Sequence, residues 1–326
     1  MSAHPALGLD ISKQNFHAAL LLANGNTRAK VLPNTLEGHA QLLEWLQHCG
    51  MERVHACMEA TGSYGRALAS FLSAAGHTVS VVNPLRVKGF ALSELTRTKT
   101  DKVDAAVIAR FCAALKPAPW QPPAEESEQL QALMRRLEAL MQMLQREQNR
   151  FDGANPLVQD SLERHVEFLK TEMALTRQQI HDHFEQHPEL CRQRDLLVSI
   201  PGIGEQTAGV ILAEVGSIEA FDSARQLAAY AGLTPREKLS GTSVRGRAVL
   251  SKVGNARLRK ALYMPAMVSL RHNPVLKDFW ERLLGRGKSK PVALGALMRK
   301  LLQLAYGVLK SGKPFDPEYG RTVQPS

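Results

Sequence analysis

The sequence predicts an α/β domain followed by a mostly helical region. Near the start of the chain, short apolar runs alternate with amphipathic segments, and Asn24-Gly25-Asn26 between two runs is typical of a tight β-hairpin. Farther along, apolar residues recur at the spacing of one helix face. A hairpin followed by alternating strands and helices is typical of a mixed sheet with helices packed against it.

The N-terminal domain is predicted to contain strands and helices in the order β-β-β-α-β-α-β-α. The apolar runs predict strands at residues 6–10, 16–22, 29–32, 54–58 and 78–82. The helical patterns predict helices at residues 36–49, 64–75 and 101–115. Asn83-Pro84 is expected to stop the last strand, because proline cannot donate a hydrogen bond to the ladder.

A proline-rich segment separates this domain from the rest of the chain. It has four prolines within residues 117–123, a composition incompatible with a helix or a central strand. Beyond it, residues 130–144 and 157–184 carry apolar stripes at helical spacing on either side of Pro156. These stripes predict an antiparallel helical hairpin or a coiled coil between subunits.

The last part of the chain is predicted to be helical, with a glycine-rich turn near its start. Pro201-Gly-Ile-Gly204 between two helical stretches is typical of a helix-hairpin-helix element, in which glycines let backbone N–H groups approach phosphate. The alternative is a structural turn between packed helices. We therefore divide the chain into residues 1–116, 117–190 and 191–326.

The charge distribution predicts a polyanionic partner. The net charge is +10, and residues 241–326 hold 17 of the 41 basic but only 4 of the 31 acidic residues. This segment has a net charge of +13 and the remainder −3, which favours nucleic acid over an anionic membrane. The alternative is a basic domain without such a partner. The nucleic-acid-binding candidates are Gly202, Gly204, Arg245, Arg247, Lys252, Arg257, Arg259 and Lys260.

Composition excludes several protein classes. A hydrophobic share of 44% and a charged share of 22% are those of a globular protein, not of a disordered one. Four cysteines without a C-x-x-C pair do not form a zinc ribbon. The N-terminus resembles no signal peptide and the apolar runs are interrupted, so we expect a cytoplasmic protein without a membrane span.

Four carboxylates are the main catalytic candidates. Asp10 and Glu59 end predicted strands, where α/β sheets form ligand sites, and Asp101 and Asp104 share one face at the start of a predicted helix. Carboxylate oxygens suit Mg²⁺ or Mn²⁺, and two such ions can stabilise the attacking and leaving oxygens of a phosphodiester. Alternatively, Asp101 only interacts favourably with the helix dipole at the N-terminus, and Asp104 is a solvated acid without a further role.

Ser240 is a second candidate on chemical grounds. It begins a Ser-Gly-Thr-Ser segment followed by Arg245 and Arg247, whose guanidinium groups suit phosphate oxygens. Serines in glycine-rich loops are mostly structural, and Tyr230 and Tyr263 are alternative hydroxyl groups.

These motifs, in this order, resemble the DEDD transposases of bacterial insertion sequences whose members are guided by a bridge RNA. Gly8-Leu-Asp10-Ile-Ser resembles the first acidic motif, Cys57-Met-Glu59-Ala-Thr-Gly62 the second and Lys99-Thr-Asp101-Lys-Val-Asp104-Ala the third. Residues 83–84, 201–204, 231–235, 240–246 and 261–266 also match. The resemblance covers almost the whole chain, and the combination of motifs is highly specific.

The resemblance implies an RuvC-like (RNase H) fold for residues 1–116, a helical coiled-coil middle and a C-terminal transposase domain. It implies that Asp10, Glu59, Asp101 and Asp104 bind Mg²⁺, with Mn²⁺ as a substitute, and that Ser240 is a nucleophile forming a phosphoserine link with DNA. The implied partners are donor and target double-stranded DNA and a bridge RNA. The implied assembly is a tetramer built from dimers, with an active site shared between subunits, and the implied location is the bacterial nucleoid.

Three other functions fit parts of the sequence. An RuvC-like nuclease or junction resolvase would use the four acids and water, without a serine. An actin-like sugar kinase would share the Gly8-Leu-Asp10 segment, but a clear second phosphate loop is missing from the sequence. A non-catalytic nucleic-acid-binding protein would use the basic region and retain its function without the acids.

Overall fold

The computed structural model describes residues 4–60, 64–95, 100–236, 239–240, 244–245 and 249–318, with the backbone alone at 239, 240, 244, 245 and 249. The chain forms two compact units, Met1–Pro122 and Pro123–Ser326. The first is a mixed α/β unit and the second is mostly helical, as the sequence predicts.

The first unit is built on a five-stranded sheet with the order β3-β2-β1-β4-β5. The strands are β1 (Ala6–Ile11), β2 (Asn15–Leu21), β3 (Thr27–Pro33), β4 (His55–Glu59) and β5 (Thr78–Val82). Strands β1–β3 are antiparallel neighbours, whereas β4 pairs in parallel with both β1 and β5. The carboxyl ends of β1, β4 and β5 therefore lie at one edge of the sheet.

Helices cover the two faces of this sheet. They are α1 (Leu36–His48), α2 (Arg66–Ala74), α3 (Pro84–Ser93) and α4 (Asp101–Leu115). Leu7 and Leu9 belong to one buried cluster with α1 and α2 residues, while Ala6 and Cys57 belong to another with α3 and α4 residues. Alternate side chains of β1 thus face opposite layers, as the twofold period of a strand requires.

Helix α3 is not predicted by the sequence analysis. The Asn83-Pro84 pair that ends β5 also begins this helix, because the Asn83 side chain accepts a hydrogen bond from the Leu85 N–H (2.9 Å) and Pro84 takes the first helical position. Both roles are typical of these residues at helix starts. Asn83-Pro84 therefore both ends β5 and begins α3.

The proline-rich segment lies against the edge strand β5. The Trp120 N–H donates to the Val79 carbonyl (2.7 Å), and the Ser80 hydroxyl contacts the carbonyls of Pro117 (3.0 Å) and Ala118 (2.8 Å). These contacts use polar groups that an edge strand would otherwise expose. Residues 117–120 therefore belong to the first unit.

The second unit begins with two long packed helices, α5 (Glu125–Phe151) and α6 (Pro156–Gln186). Further helices are α7 (Pro188–Val198), α8 (Glu205–Val215), α9 (Ala224–Tyr230), α10 (Ala256–Ala261), α11 (Tyr263–His272), α12 (Pro274–Gly285) and α13 (Lys290–Ser311). The sequence predicts one helix across 258–270, but the structure has α10 and α11, which meet at Leu262.

Helix α13 forms much of the core of the second unit. By length and hydropathy it is the one helix among the described residues that could cross a membrane. More than half of its apolar stretch is buried in the protein, where Leu297, Leu301 and Leu302 are fully buried. This burial is typical of a core helix.

Candidate functional site

The sheet register brings Asp10 and Glu59 side by side. Leu9 of β1 is paired with Met58 of β4, so the next residue of each strand is an acid at the same level of the sheet. Neighbouring parallel strands are about 4.8 Å apart, and residues at matching levels project to the same face. The two predicted strand-end acids are therefore neighbours.

Helix α4 crosses the same face of the sheet. A Cβ atom on Gly8 would lie 2.0 Å from the Ala105 carbonyl oxygen and 2.3 Å from the Ala109 nitrogen, so only glycine permits this close packing. Asp10 lies two residues beyond Gly8 and shares its face of β1. Asp101 and Asp104 form the first turn of α4, so they enter the same region.

The Asp10 carboxyl shows that the three aspartates interact. Its pKa is raised above the ordinary value, first because the side chain is partly buried and next because Asp101 and Asp104 repel its negative charge. His17 and the Ile11 N–H act in the opposite direction. The structure thus brings together Asp10, Asp101 and Asp104, and the register adds Glu59 beside them.

His17 is a member of this site that the sequence analysis missed. It lies directly opposite Asp10 in the β1–β2 ladder, and its Nε2 is 3.5 Å from Asp101 Oδ2. A two-residue turn at Lys13-Gln14 sets this register, since Ser12 and Asn15 are hydrogen-bonded across it. A two-residue turn at positions 13 and 14 fixes the register of the two strands and pairs position 10 with position 17. Recognition of this turn in the sequence would therefore have predicted that His17 lies beside Asp10.

The donor set suits a hard divalent cation. Carboxylate oxygens are the ligands that Mg²⁺ and Mn²⁺ prefer. A cation would offset both the burial and the repulsion from Asp101 and Asp104 that raise the pKa of Asp10. Within the described ranges, no group of three or more His, Cys, Asp and Glu side chains is already arranged as a metal-binding cluster. The residues fit the cation by chemistry and by charge.

Ser240 lies on a short hairpin of the second unit. At its base, β6 (Pro235–Arg236) pairs with β9 (Val249–Leu250), and nearer the tip β7 (Leu239–Ser240) pairs with β8 (Val244–Arg245). Ser240 is paired with Val244 at the end of the inner ladder. Arg247 lies outside the described residues. The hairpin was not predicted, since two-residue strands leave no periodicity to detect.

A polar cluster around the nearly buried Glu214 side chain holds the segments that flank this hairpin. The Glu214 carboxylate of α8 accepts a hydrogen bond from Asn255 Nδ2 (2.7 Å) and lies 3.6 Å from Arg135 Nε and 3.9 Å from Arg257 Nη1. The Tyr230 hydroxyl donates to the Glu214 carbonyl (2.9 Å). Since Tyr230 precedes the hairpin and Asn255 follows it, both ends are attached to α8.

Comparisons with known proteins match both units. The model of the DEDD transposases of the IS110 type matches residues 7–154, and that of the transposases of the IS116/IS110/IS902 family matches residues 194–281. A pilin gene-inverting protein from Moraxella bovis is 35% identical over 313 residues, which cover 95% of this chain and 97% of the relative. The IS1328 transposase of Yersinia enterocolitica is 26% identical over 95% of this chain and 98% of its own.

The chain belongs to the IS110 family of transposases. The transposases of this family and their relatives recombine DNA, so this transposase is an enzyme that acts on DNA. The DEDD family also suggests the use of a divalent metal, in agreement with the carboxylates of the first unit.

The transposase uses several of the predicted nucleic-acid-binding cations for internal contacts. Lys260 Nζ lies 3.3 Å and Arg257 Nε 3.7 Å from the Glu138 carboxylate, and Arg259 Nη1 donates to the Ala231 carbonyl (3.0 Å). Lys260 still exposes 71% of its side chain, and Lys252 is exposed. Arg257 is also exposed but lies near two carboxylates, those of Glu138 and Glu214, so Lys252 and Lys260 are the better placed of these cations for a phosphate contact.

The two candidate glycines at the helix-hairpin-helix turn have different surroundings. A Cβ on Gly202 would lie 2.7 Å from the Ser269 Cβ, and its φ is +107°, so this glycine allows the turn to pack against α11. Gly204 is exposed and caps α8, and a Cβ added to it would have no atom of the described residues within 4 Å. Of the two, Gly204 has the open surface that a phosphate contact needs.

Proposed function

We propose that this transposase cleaves and rejoins DNA strands by using the four acids of the first unit and the Ser240 hydroxyl of the second. The observation that carries the proposal is the convergence of Asp10, Asp101 and Asp104 at one sheet edge, with Glu59 in register beside them. Such crowding of like charge is unfavourable in itself and is typical of a site that binds a cation.

The four acids would hold Mg²⁺, or Mn²⁺ in its place. A divalent cation bound there would supply charge stabilisation at the scissile phosphate and would polarise it toward attack. The role of the chain is to keep the carboxylates converged: β1 and β4 fix two of them, and α4, packed on Gly8, fixes the others.

Ser240 would be the nucleophile. Its hydroxyl oxygen would attack the phosphorus, forming a phosphoserine ester while the bond to a deoxyribose oxygen breaks and that oxygen takes the proton. The ester conserves the energy of the broken bond, so the reverse reaction rejoins strands without ATP. Arg245 and Arg247 would hold the phosphate oxygens.

Donor and target DNA would be selected by base pairing with a bridge RNA. The proposal rests on the resemblance of the motifs and on the basic C-terminal region, whose charge suits the backbones of both nucleic acids. The protein would act in the bacterial cytoplasm at the nucleoid, as a tetramer built from dimers in which different subunits contribute to one active site.

A second candidate function is the inversion of a DNA segment. The 35% identity to the pilin gene-inverting protein extends over 97% of that relative, and it exceeds the 26% identity to the IS1328 transposase. Inversion and insertion share strand cleavage and rejoining but differ in how the two DNA sites are connected. The proposed phosphoserine chemistry is the same for both.

The test of the proposed chemistry is a search for DNA attached to the protein. Labelled donor and target DNA are incubated with the full-length transposase, bridge RNA and Mg²⁺, then resolved by denaturing electrophoresis. We expect a protein-linked band for the wild type, and its loss in Ser240→Ala because the hydroxyl is gone and in Asp10→Ala because the cation site is disrupted. Both variants should retain DNA binding.

Ser243→Ala and Tyr230→Phe are the matched controls, and both should keep the linked band. A persistent band with Ser240→Ala would place the nucleophile elsewhere. Cleaved DNA without any protein-linked band in the wild type would instead support the alternative, a nuclease that uses water activated at the acidic site.

A further inference from the structure

A hydrogen-bonded asparagine connects the two loops that follow the strand-end acids. Asn34, directly after β3, donates from Nδ2 to the Ser12 carbonyl (3.1 Å) and to the Tyr64 carbonyl (3.0 Å). Ser12 lies two residues beyond Asp10, and Tyr64 lies five residues beyond Glu59. One amide group therefore bridges the chain segments leaving β1 and β4 at the edge where the acids converge.

The bridge is supported by backbone contacts on both sides. The Asn34 N–H donates to the Gln14 carbonyl (2.8 Å), within the turn that pairs His17 with Asp10. On the other side, a Cβ on Gly65 would lie 3.1 Å from Ile11 Cδ1, so the segment after β4 packs closely over the end of β1. Tyr64 and Gly65, which lead into α2, are thus held against the end of β1.

His39 fixes the orientation of the asparagine amide. Its Nε2 lies 3.1 Å from Asn34 Oδ1, and this oxygen can only accept, so Nε2 carries the proton and donates. The imidazole is 2% exposed between the rings of Phe16 and Phe71. Its burial lowers the pKa of His39, which keeps the ring neutral at pH 7.

The other nitrogen of this imidazole makes the arrangement unusual. His39 Nδ1 is buried and has no hydrogen-bond partner among the described residues. A buried polar atom without a partner lowers stability, and an aromatic hydrocarbon ring would fill the same space without that penalty. Stability alone would therefore favour a hydrocarbon ring over histidine at position 39. What the histidine adds is its one hydrogen bond, which it makes to Asn34.

We infer that Asn34 and His39 are positioning residues that hold the Asp10 and Glu59 loops in the geometry needed to bind the divalent cation. The inference rests on the proposed function of the acids. Asn34 supplies both donors that join the loops, and His39 sets which end of the amide faces them. Neither residue contacts the carboxylates among the contacts described above, so they act through the backbone.

The test measures Mn²⁺ binding to the full-length protein in the absence of nucleic acid, by electron paramagnetic resonance of the free ion. Asn34→Ala should raise the Mn²⁺ dissociation constant by about tenfold, the lower range for groups that orient ligands. His39→Phe should also weaken Mn²⁺ binding while its Tm stays equal to that of the wild type or rises. A purely structural role predicts that affinity and Tm change together.

Asn24→Ala is the matched control. Asn24 also accepts a hydrogen bond in a sheet turn, from the Asn26 N–H (3.0 Å), but at the opposite end of β2. The Asn24→Ala variant should bind Mn²⁺ with the affinity of the wild type. Amide hydrogen exchange should quicken at residues 12–15 and 64–66 in Asn34→Ala and at neither in Asn24→Ala.

Asp10→Ala separates the failure of the metal site from the failure of the positioning role. If Asp10→Ala loses Mn²⁺ binding but Asn34→Ala and His39→Phe bind as tightly as the wild type, the positioning inference is overturned and the metal site stands. If Asp10→Ala itself binds Mn²⁺ like the wild type, the metal site and the positioning inference both fall.

Discussion

At the scale of single residues, the site depends on carboxylates held where they repel one another. Asp10 is half-buried next to Asp101 and Asp104, and the pKa of its carboxyl is raised from 3.8. A carboxyl whose pKa is higher in the folded than in the unfolded protein destabilises the fold once it ionises. This penalty is absent well below pH 4, grows as the pH rises from the unfolded-state pKa to the folded-state pKa, and is complete above the folded-state pKa.

Removing the charge should therefore stabilise the metal-free protein. Asp10→Asn keeps the shape of the side chain and should raise stability in EDTA at pH 7 by less than about 1 kcal/mol, since solvent screens half-exposed charges. The corresponding rise in Tm is about 1–4 °C, and strand cleavage should be lost. Differential scanning calorimetry at pH 7 and at pH 4 measures the gain in Tm and its decrease in acid.

Mg²⁺ provides the control for this prediction. The cation should raise the Tm of the wild type at pH 7 and have little effect on Asp10→Asn. A variant less stable than the wild type in EDTA would show that Asp10 is held by favourable contacts and not by crowding.

At the scale of elements, the position of α4 on β1 decides whether the acids meet. The contact at Gly8 places backbone atoms of α4 so close to the strand that no side chain fits between them. The first turn of the helix, with Asp101 and Asp104, lies where this contact puts it. A single glycine thus sets the separation between the strand acids and the helix acids.

Gly8→Ala should displace α4 and disrupt the site. Its Cβ would meet backbone atoms that cannot rotate away, so we expect destabilisation by about 1–3 kcal/mol, the usual range for overpacking, together with loss of cleavage. Urea unfolding measures the loss of stability, and denaturing electrophoresis of labelled DNA measures the loss of cleavage.

Gly89→Ala is the matched control for Gly8→Ala. Gly89 lies in α3, where a Cβ would have no atom within 4 Å among the described residues, so alanine should be neutral or stabilise the helix by up to about 1 kcal/mol. Equal behaviour of the two variants would contradict the role assigned to the Gly8 contact.

At the scale of the whole molecule, the basic C-terminal region also builds the core. Residues 241–326 supply the charge excess, yet Leu258, Leu297 and Leu301 from the same stretch are fully buried. Deleting this region would unfold the second unit and would not report on its charge. The charge hypothesis must therefore be tested by substitution.

The turn between α12 and α13 offers the best place for that test. Arg286, Lys288 and Lys290 are exposed within five residues of one another. Replacing all three with glutamine should reduce the slope of log binding constant against log salt by about 2–3, because each lost phosphate contact accounts for about 0.9. Binding titrations with DNA and with RNA from 50 to 200 mM salt, about the range over which such slopes are resolved, measure it.

Lys310→Gln is the control for the salt dependence. Lys310 is ion-paired with Glu219, so its loss should change the slope little. An unchanged slope in the triple variant, with normal folding, would place the nucleic-acid contacts elsewhere in the protein.

The sequence by itself determined most of the elements and singled out the acidic residues as candidates. Every predicted strand of the first unit is present in its sheet, and the long apolar stripes correspond to α5 and α6. Periodicity succeeds here because it records which side of a single element is buried. Asp10, Glu59, Asp101 and Asp104 could be predicted as site residues because motif and position are both local properties of the chain.

Tertiary structure alone decided which distant residues meet. The strand register brings His17 close to Asp101. The Asn34 side chain connects Ser12 and Tyr64, and the absence of a side chain at Gly8 lets the backbone of α4 pack against β1. Arg257 and Lys260, chosen as nucleic-acid ligands from charge alone, lie beside Glu138 of a helix more than a hundred residues earlier. Such contacts depend on packing between elements, and no local pattern in the sequence encodes them.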